Sequence, residues 1–210
     1  MPKFDRALFG GTSVSGWVLA PRSRRASSNQ TNNYWNAITS APTSYESIAS
    51  YSTTLNGLNS ITFSSIPQTF KHLQIRTSTV ATTDGYIESR FNSDSGSNYA
   101  WHIVTGEGSA TGASAQTSQN KLRITAFNNQ MDSTNPYVSV TDILDYTDTN
   151  KYTTIRTLSG KDSNGAGDMN LISGVWLNSA ALTSIQLFLS PTSGKTYLTG
   201  SHIALYGIKG

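Results

Sequence analysis

The sequence predicts an all-β protein: an antiparallel β-sandwich, jelly-roll-like, with about eleven strands and an extended N-terminal arm. Three observations predict it. From Tyr45 onward, short segments dense in β-branched and aromatic residues alternate apolar with polar side chains at a period of two. They recur at nearly even spacing, which favours two stacked sheets over a barrel. Between them stand Asn, Asp and Gly, whose side chains bond their own backbone or whose φ can turn positive.

Residues 1 to 44 lack a periodic apolar face and are rich in Ser, Asn, Gly and Pro, so they are not expected to fold alone. Small apolar groups punctuate them: Phe4, Leu8 and Phe9, then Trp17, Val18 and Leu19, then Tyr34 and Trp35. Aromatic anchors on a flexible strap suit a pocket on a neighbour. Fully extended, the segment reaches on the order of 150 Å at about 3.3 Å per residue. Its charge differs from that of the body. Lys3, Arg6, Arg22, Arg24 and Arg25 stand against Asp5 alone, leaving +4, whereas the net charge of the whole chain is +3. The anchoring candidates are therefore Phe4, Arg6, Phe9, Trp17, Arg22, Arg24, Arg25 and Trp35. A signal peptide is a poorer reading of the opening, because Gly10, Gly11, Thr12, Ser13, Ser15 and Gly16 break its apolar region and the arginines follow it.

The body, 45–210, reads as strands over 45–51, 60–65, 70–78, 86–92, 98–105 and 121–127, a three-strand meander between Tyr137 and Leu177, then 182–190 and 202–209. In FKHLQIR, Leu73 and Ile75 point inward and His72, Gln74 and Arg76 outward; in TSIQLFL, Ile185, Leu187 and Leu189 point inward against Gln186 and Phe188. In the meander, Thr153, Ile155 and Thr157 share one face, Thr154, Arg156 and Leu158 the other. Asn164, Gly165 and Gly167 supply the turn that follows. The stretch 107–120, EGSATGASAQTSQN, reads as a mobile surface loop of small residues.

Composition excludes several functions. There are no cysteines, so disulfides, thiolate metal sites and thiol catalysis are absent together. Charged residues are 13% of the chain and Ser plus Thr more than a quarter, a neutral, hydroxyl-rich surface suited to stable assemblies. The body lacks the clustered Lys and Arg of a nucleic-acid-binding face, and no 18-residue apolar run suggests a membrane-spanning helix. Two nucleotide-binding look-alikes fail on context. Gly194-Lys195-Thr196 has Leu189 where a P-loop opens with Gly, and Gly106-Glu107-Gly108 has Thr111 where the third Gly belongs; neither precedes a helix.

No catalytic set or cofactor is expected. His72, His102 and His202 fall in three different strands. Calcium is a minor alternative at Asp142, Asp145 and Asp148, or at Asp162, Asn164 and Asp168; the spacing is not that of an EF-hand, and Asp and Asn are ordinary turn formers. Trp101, His102 and Trp176 are the surface or ligand candidates. A strand tryptophan can stack on a sugar ring, although core or subunit interface is the commoner use.

The segments TSYESIAS (43–50), SITFSSIPQTFKHLQIR (60–76), RFNSDSGSNYAWH (90–102), DILDYTDTNKYTTIRTLSGKDSNG (142–165), SGVWLNSAALTSIQL (173–187) and IALYGIK (203–209) resemble a module of virion structural proteins in tailed bacteriophages, including those of cyanobacterial and other aquatic hosts. The resemblance implies a non-enzymatic tail-fibre, minor tail or capsid decoration protein in the virion, assembled in the host cytoplasm. It also implies a homotrimer and partners among the tail, baseplate or major capsid proteins. Here only about 44 residues precede the module, which puts a long fibre shaft in doubt and keeps the capsid decoration role beside the host-recognition role. A carbohydrate-binding module that meets a host surface glycan is the further alternative.

Overall fold

The computed structural model describes residues 44–54, 57–82, 85–125, 131–190 and 195–210. Twelve strands are found among them: β1 (Tyr45–Ser52), β2 (Ser60–Phe63), β3 (His72–Thr79), β4 (Tyr86–Phe91), β5 (Tyr99–Glu107), β6 (Ala110–Gln119), β7 (Leu122–Arg123), β8 (Tyr137–Leu144), β9 (Thr153–Ser163), β10 (Ala166–Trp176), β11 (Ile185–Ser190) and β12 (His202–Ile208). All named pairs are antiparallel. They form an eight-stranded sheet in the order β1-β12-β3-β8-β9-β10-β5-β6 and a four-stranded sheet in the order β2-β11-β4-β7. The two sheets pack together as a β-sandwich.

The strand order contains a jelly roll. Strands β1-β12-β3-β8 of the larger sheet correspond one to one with β2-β11-β4-β7 of the smaller, and the chain changes sheet between the members of each pair. Two hairpins are inserted into this roll: β5 with β6, between β4 and β7, and β9 with β10, between β8 and β11. They join through β10 and β5 and extend the larger sheet into a wing, β9-β10-β5-β6. The hairpin between β9 and β10 turns at Asn164 and Gly165, whose φ values of 56° and 88° give the positive-φ pair of a type I′ turn. Gly167 also has positive φ, and an added Cβ would lie 2.0 Å from the Lys161 carbonyl oxygen.

The core forms because most roll strands, and β9 beside them, turn apolar residues to one face. Leu73, Ile75, Ile87, Phe91, Ile143, Ile155, Ile185, Leu187, Leu189, Ile203 and Leu205 are all buried between the sheets. Trp176 stands at one end of this core, stacked on Tyr99 at 6.5 Å and meeting the Phe91 ring edge-on at 5.8 Å. Its Nε1–H donates to Asp94 Oδ2 at 2.8 Å. A smaller cluster, Trp101, Ile103 and Ile172, fills the inner face of the wing.

Four expectations are corrected. Residues 110–119 are not a loop: they are the edge strand β6, paired with β5 from Tyr99↔Gln119 to Glu107↔Ala110. Nearly every residue of it is exposed, so backbone hydrogen bonds rather than burial hold it in place, and burial is what side-chain alternation reports. The strand expected over 121–127 is only Leu122–Arg123 as described. Gln74, expected in solvent, is buried because its amide donates to Asp142 Oδ1 at 2.7 Å and its Oε1 accepts from Arg76 Nε at 2.7 Å. Phe188 is likewise buried, with the Arg90 guanidinium and Lys121 ammonium over its ring at 5.2 and 5.9 Å.

Candidate functional surface

The eight-stranded sheet has an outer face that no described element covers, and its central positions are apolar. Register places Ala113, Val104, Leu171, Leu158 and Val140 in one row across β6, β5, β10, β9 and β8. The next row holds Thr111, Gly106, Met169, Gly160 and Val138. Val104, Leu158, Leu171 and Met169 are 56, 55, 57 and 64% exposed. A groove of about 930 Å³ runs over this face, floored at Gly106 and Gly160 and walled by Val138, Val140, Leu158 and Met169. Large uncovered apolar areas of this kind mark binding surfaces in folded proteins.

The wing is thus apolar on both faces. Ile103 and Ile172 are buried on one side while their chain neighbours Val104 and Leu171 face outward. A strand with apolar residues in succession is the signature of a sheet covered twice.

A polar row flanks the apolar one: Ala115, His102, Ser173, Arg156, Asp142, Gln74 and Tyr206. Arg156 Nη1 donates to Ser173 Oγ at 2.7 Å, and the Arg76 guanidinium lies 5.2 Å from the Tyr206 ring and 5.7 Å from that of Tyr45. On the other flank Asp162 is exposed, its Oδ1 accepting the Gly165 N–H at 3.1 Å.

Of the surface candidates, only His102 lies exposed on this face. Trp101 and Trp176 are 3 and 1% exposed, so neither ring is available to an external sugar, and their reading as surface ligand contacts is corrected to core packing. The anchoring candidates Phe4, Arg6, Phe9, Trp17, Arg22, Arg24, Arg25 and Trp35 lie outside the described residues.

Sequence reasoning missed a charged cluster at the edge of the smaller sheet. Glu88 on β4 and Arg123 on β7 are register partners, both buried, with Arg123 Nη2 at 3.6 Å from Glu88 Oε1. Lys121 Nζ approaches the other carboxylate oxygen at 2.5 Å. The Arg123 guanidinium lies 3.7 Å from the centre of the Tyr86 ring and 5.2 Å from that of Trp101. Burial lowers its pKa below the usual arginine value, and Glu88 opposes that shift. This cation between two aromatic rings ties the wing to the smaller sheet.

The acidic groups weighed for calcium are engaged separately. Asp142 accepts from Gln74, Asp148 Oδ1 from the Asn150 N–H, and Asp168 Oδ1 from Tyr137 Oη–H. Tyr137 Oη in turn accepts from Asn170, whose Oδ1 accepts from Thr105, a hydrogen-bonded chain beneath the wing. Among the described residues no three of His, Asp or Glu converge as metal ligands. The Asp145 N–H donates to His72 Nδ1 at 2.9 Å, which fixes that imidazole as the Nε2–H tautomer.

Asp145 lies between Lys151 and Lys71, whose ammonium groups hold its carboxyl down at about 2 from an ordinary 3.8. A carboxylate with a depressed folded-state pKa stabilises the fold fully above its unfolded value and ceases to do so as pH falls through its folded value. The melting midpoint is therefore expected to drop between pH 4 and pH 2, and Asp145→Asn to flatten part of that drop. Equal acid slopes in the two proteins would show that these ion pairs do not contribute.

No family model, curated protein or solved structure matches the chain.

Proposed function

We propose that this protein is a non-enzymatic structural component of a bacteriophage particle, a tail-fibre or tail-associated protein attached through residues 1 to 44. Its β-sandwich meets the host surface. The observation that carries the reading is the uncovered apolar face of the eight-stranded sheet on a body poor in charge. A face of that kind suits a protein whose working state is an assembly. The phage-module segments quoted above, from TSYESIAS to IALYGIK, support the choice of particle. The partners are the tail, baseplate or major capsid protein, with the homotrimer that the resemblance implies.

The test is incorporation. A chain lacking residues 2 to 40, supplied during infection, is expected to fold but to be missing from purified particles. Normal incorporation refutes attachment through that segment. Electron microscopy of labelled particles separates the tail from the head, and label over the capsid would replace the host-recognition role with decoration.

A further inference from the structure

The outer face of the larger sheet carries an inference beyond that reading. We propose that it is a self-complementary interface on which a second copy of this chain docks face to face, about a two-fold axis lying across the strands at the level of Ser159.

The register carries the argument. Such an axis sets β9 of one copy antiparallel over β9 of the other, so that a residue n positions before Ser159 faces the residue n positions after it. Leu158 then stands over Gly160 of the second copy, where no side chain rises. In the same pair of rows Val104 stands over Gly106, Leu171 over Met169, and Val140 over Val138. Two bulky apolar residues thus meet glycines, and four meet partners of matched size. Side chains from facing sheets interdigitate across about 10 Å in this way.

Charge agrees with shape. Arg156 and Asp162 lie three positions to either side of Ser159, both on the outer face and both exposed. The same axis brings each Arg156 over the Asp162 of the other copy, so the apolar centre is closed by a pair of opposite charges at both ends. The neutral edge partner β6 extends the face without adding charge. Five strands by four rows cover roughly 650 Å² in projection, close to the ~800 Å² per partner of a stable interface.

The test is the mass of the full-length chain in solution, by light scattering and sedimentation equilibrium at about 50 µM. Two protomers, or an even multiple where a three-fold contact also forms, are expected. Leu158→Asp buries a carboxylate at the centre and is expected to weaken association by more than about a hundredfold. Leu158 is more than half exposed, so the variant should keep the wild-type circular dichroism; if it does not, Leu171→Lys gives the same reading. Arg156→Glu and Asp162→Lys are each expected to weaken pairing by roughly tenfold, and the double variant to restore it. A monomer, a three-protomer mass, an assembly indifferent to Leu158→Asp, or a double charge variant no better than its parents would overturn the proposal. None of these results bears on particle incorporation, so the two readings fail separately.

Discussion

Trp176→Ala is expected to lower stability by about 4 kcal/mol, the cost of removing a buried tryptophan and leaving the space open. Three losses coincide at this site. The Tyr99 ring loses its stacking partner, the Phe91 ring loses the surface it meets edge-on, and Asp94 loses the indole N–H. Burial raises the pKa of Asp94, but hydrogen bonds from Trp176, Asn98 and the Gly96 N–H outweigh it and hold the carboxyl below its ordinary value. Removing the indole releases part of that hold. Collapse is hindered because the two rings that Trp176 touches, Tyr99 and Phe91, are themselves fully buried and held in the core. Trp176→Phe, which keeps much of the apolar volume but not the N–H, is expected to cost about half as much. Urea midpoints at constant slope measure both, and a loss under about 1.5 kcal/mol for the alanine variant would contradict the packing described.

Glu88→Gln should cost about 3 kcal/mol, because it removes the anion facing a buried guanidinium while preserving side-chain shape. Lys121 can turn toward water, its side chain being 28% exposed, whereas that of Arg123 is 5% exposed and held between Tyr86 and Trp101. The buried charge that loses its facing carboxylate is therefore that of Arg123, which keeps its contact with Tyr86. Because the pair is buried, the loss should change little between low and high salt, where a surface ion pair would be screened. Glu88→Leu combined with Arg123→Met is expected to recover most of the stability, since neither charge then remains buried. A double variant as unstable as Glu88→Gln would show that packing, not charge, decides the site.

The fold was legible wherever a strand buries one face. Ile155 between Thr153 and Thr157, and Ile185, Leu187 and Leu189 in β11, alternate because one side meets the core. β6 was not legible, since a strand exposed along its length has no burial to impress on its sequence. The outer face left a trace in the consecutive pairs Ile103-Val104 and Leu171-Ile172. Reading that trace requires knowing that β5 and β10 are neighbours, a contact between segments more than 60 positions apart that local pattern does not contain. Tryptophan hid its role for a related reason: period two places Trp101 and Trp176 on a face without saying whether another layer lies against it. Glu88 and Arg123 left no sign of their pairing in the sequence, because one of the rings against the Arg123 guanidinium is that of Trp101, which arrives from a different hairpin.

The wing is assembled from two separate excursions of the chain, and neither can close its side of the seam until the other has been laid down. Local turns can form each hairpin early, but the β5–β10 seam must wait on a long loop search, the kind of step that slows folding. The pairs that close the jelly roll, Tyr45 with Ile208 and His202 with Ser78 among them, span still more of the chain. Roll and seam alike therefore wait on distant segments, and the surface on which copies would meet exists only once nearly the whole body has been made.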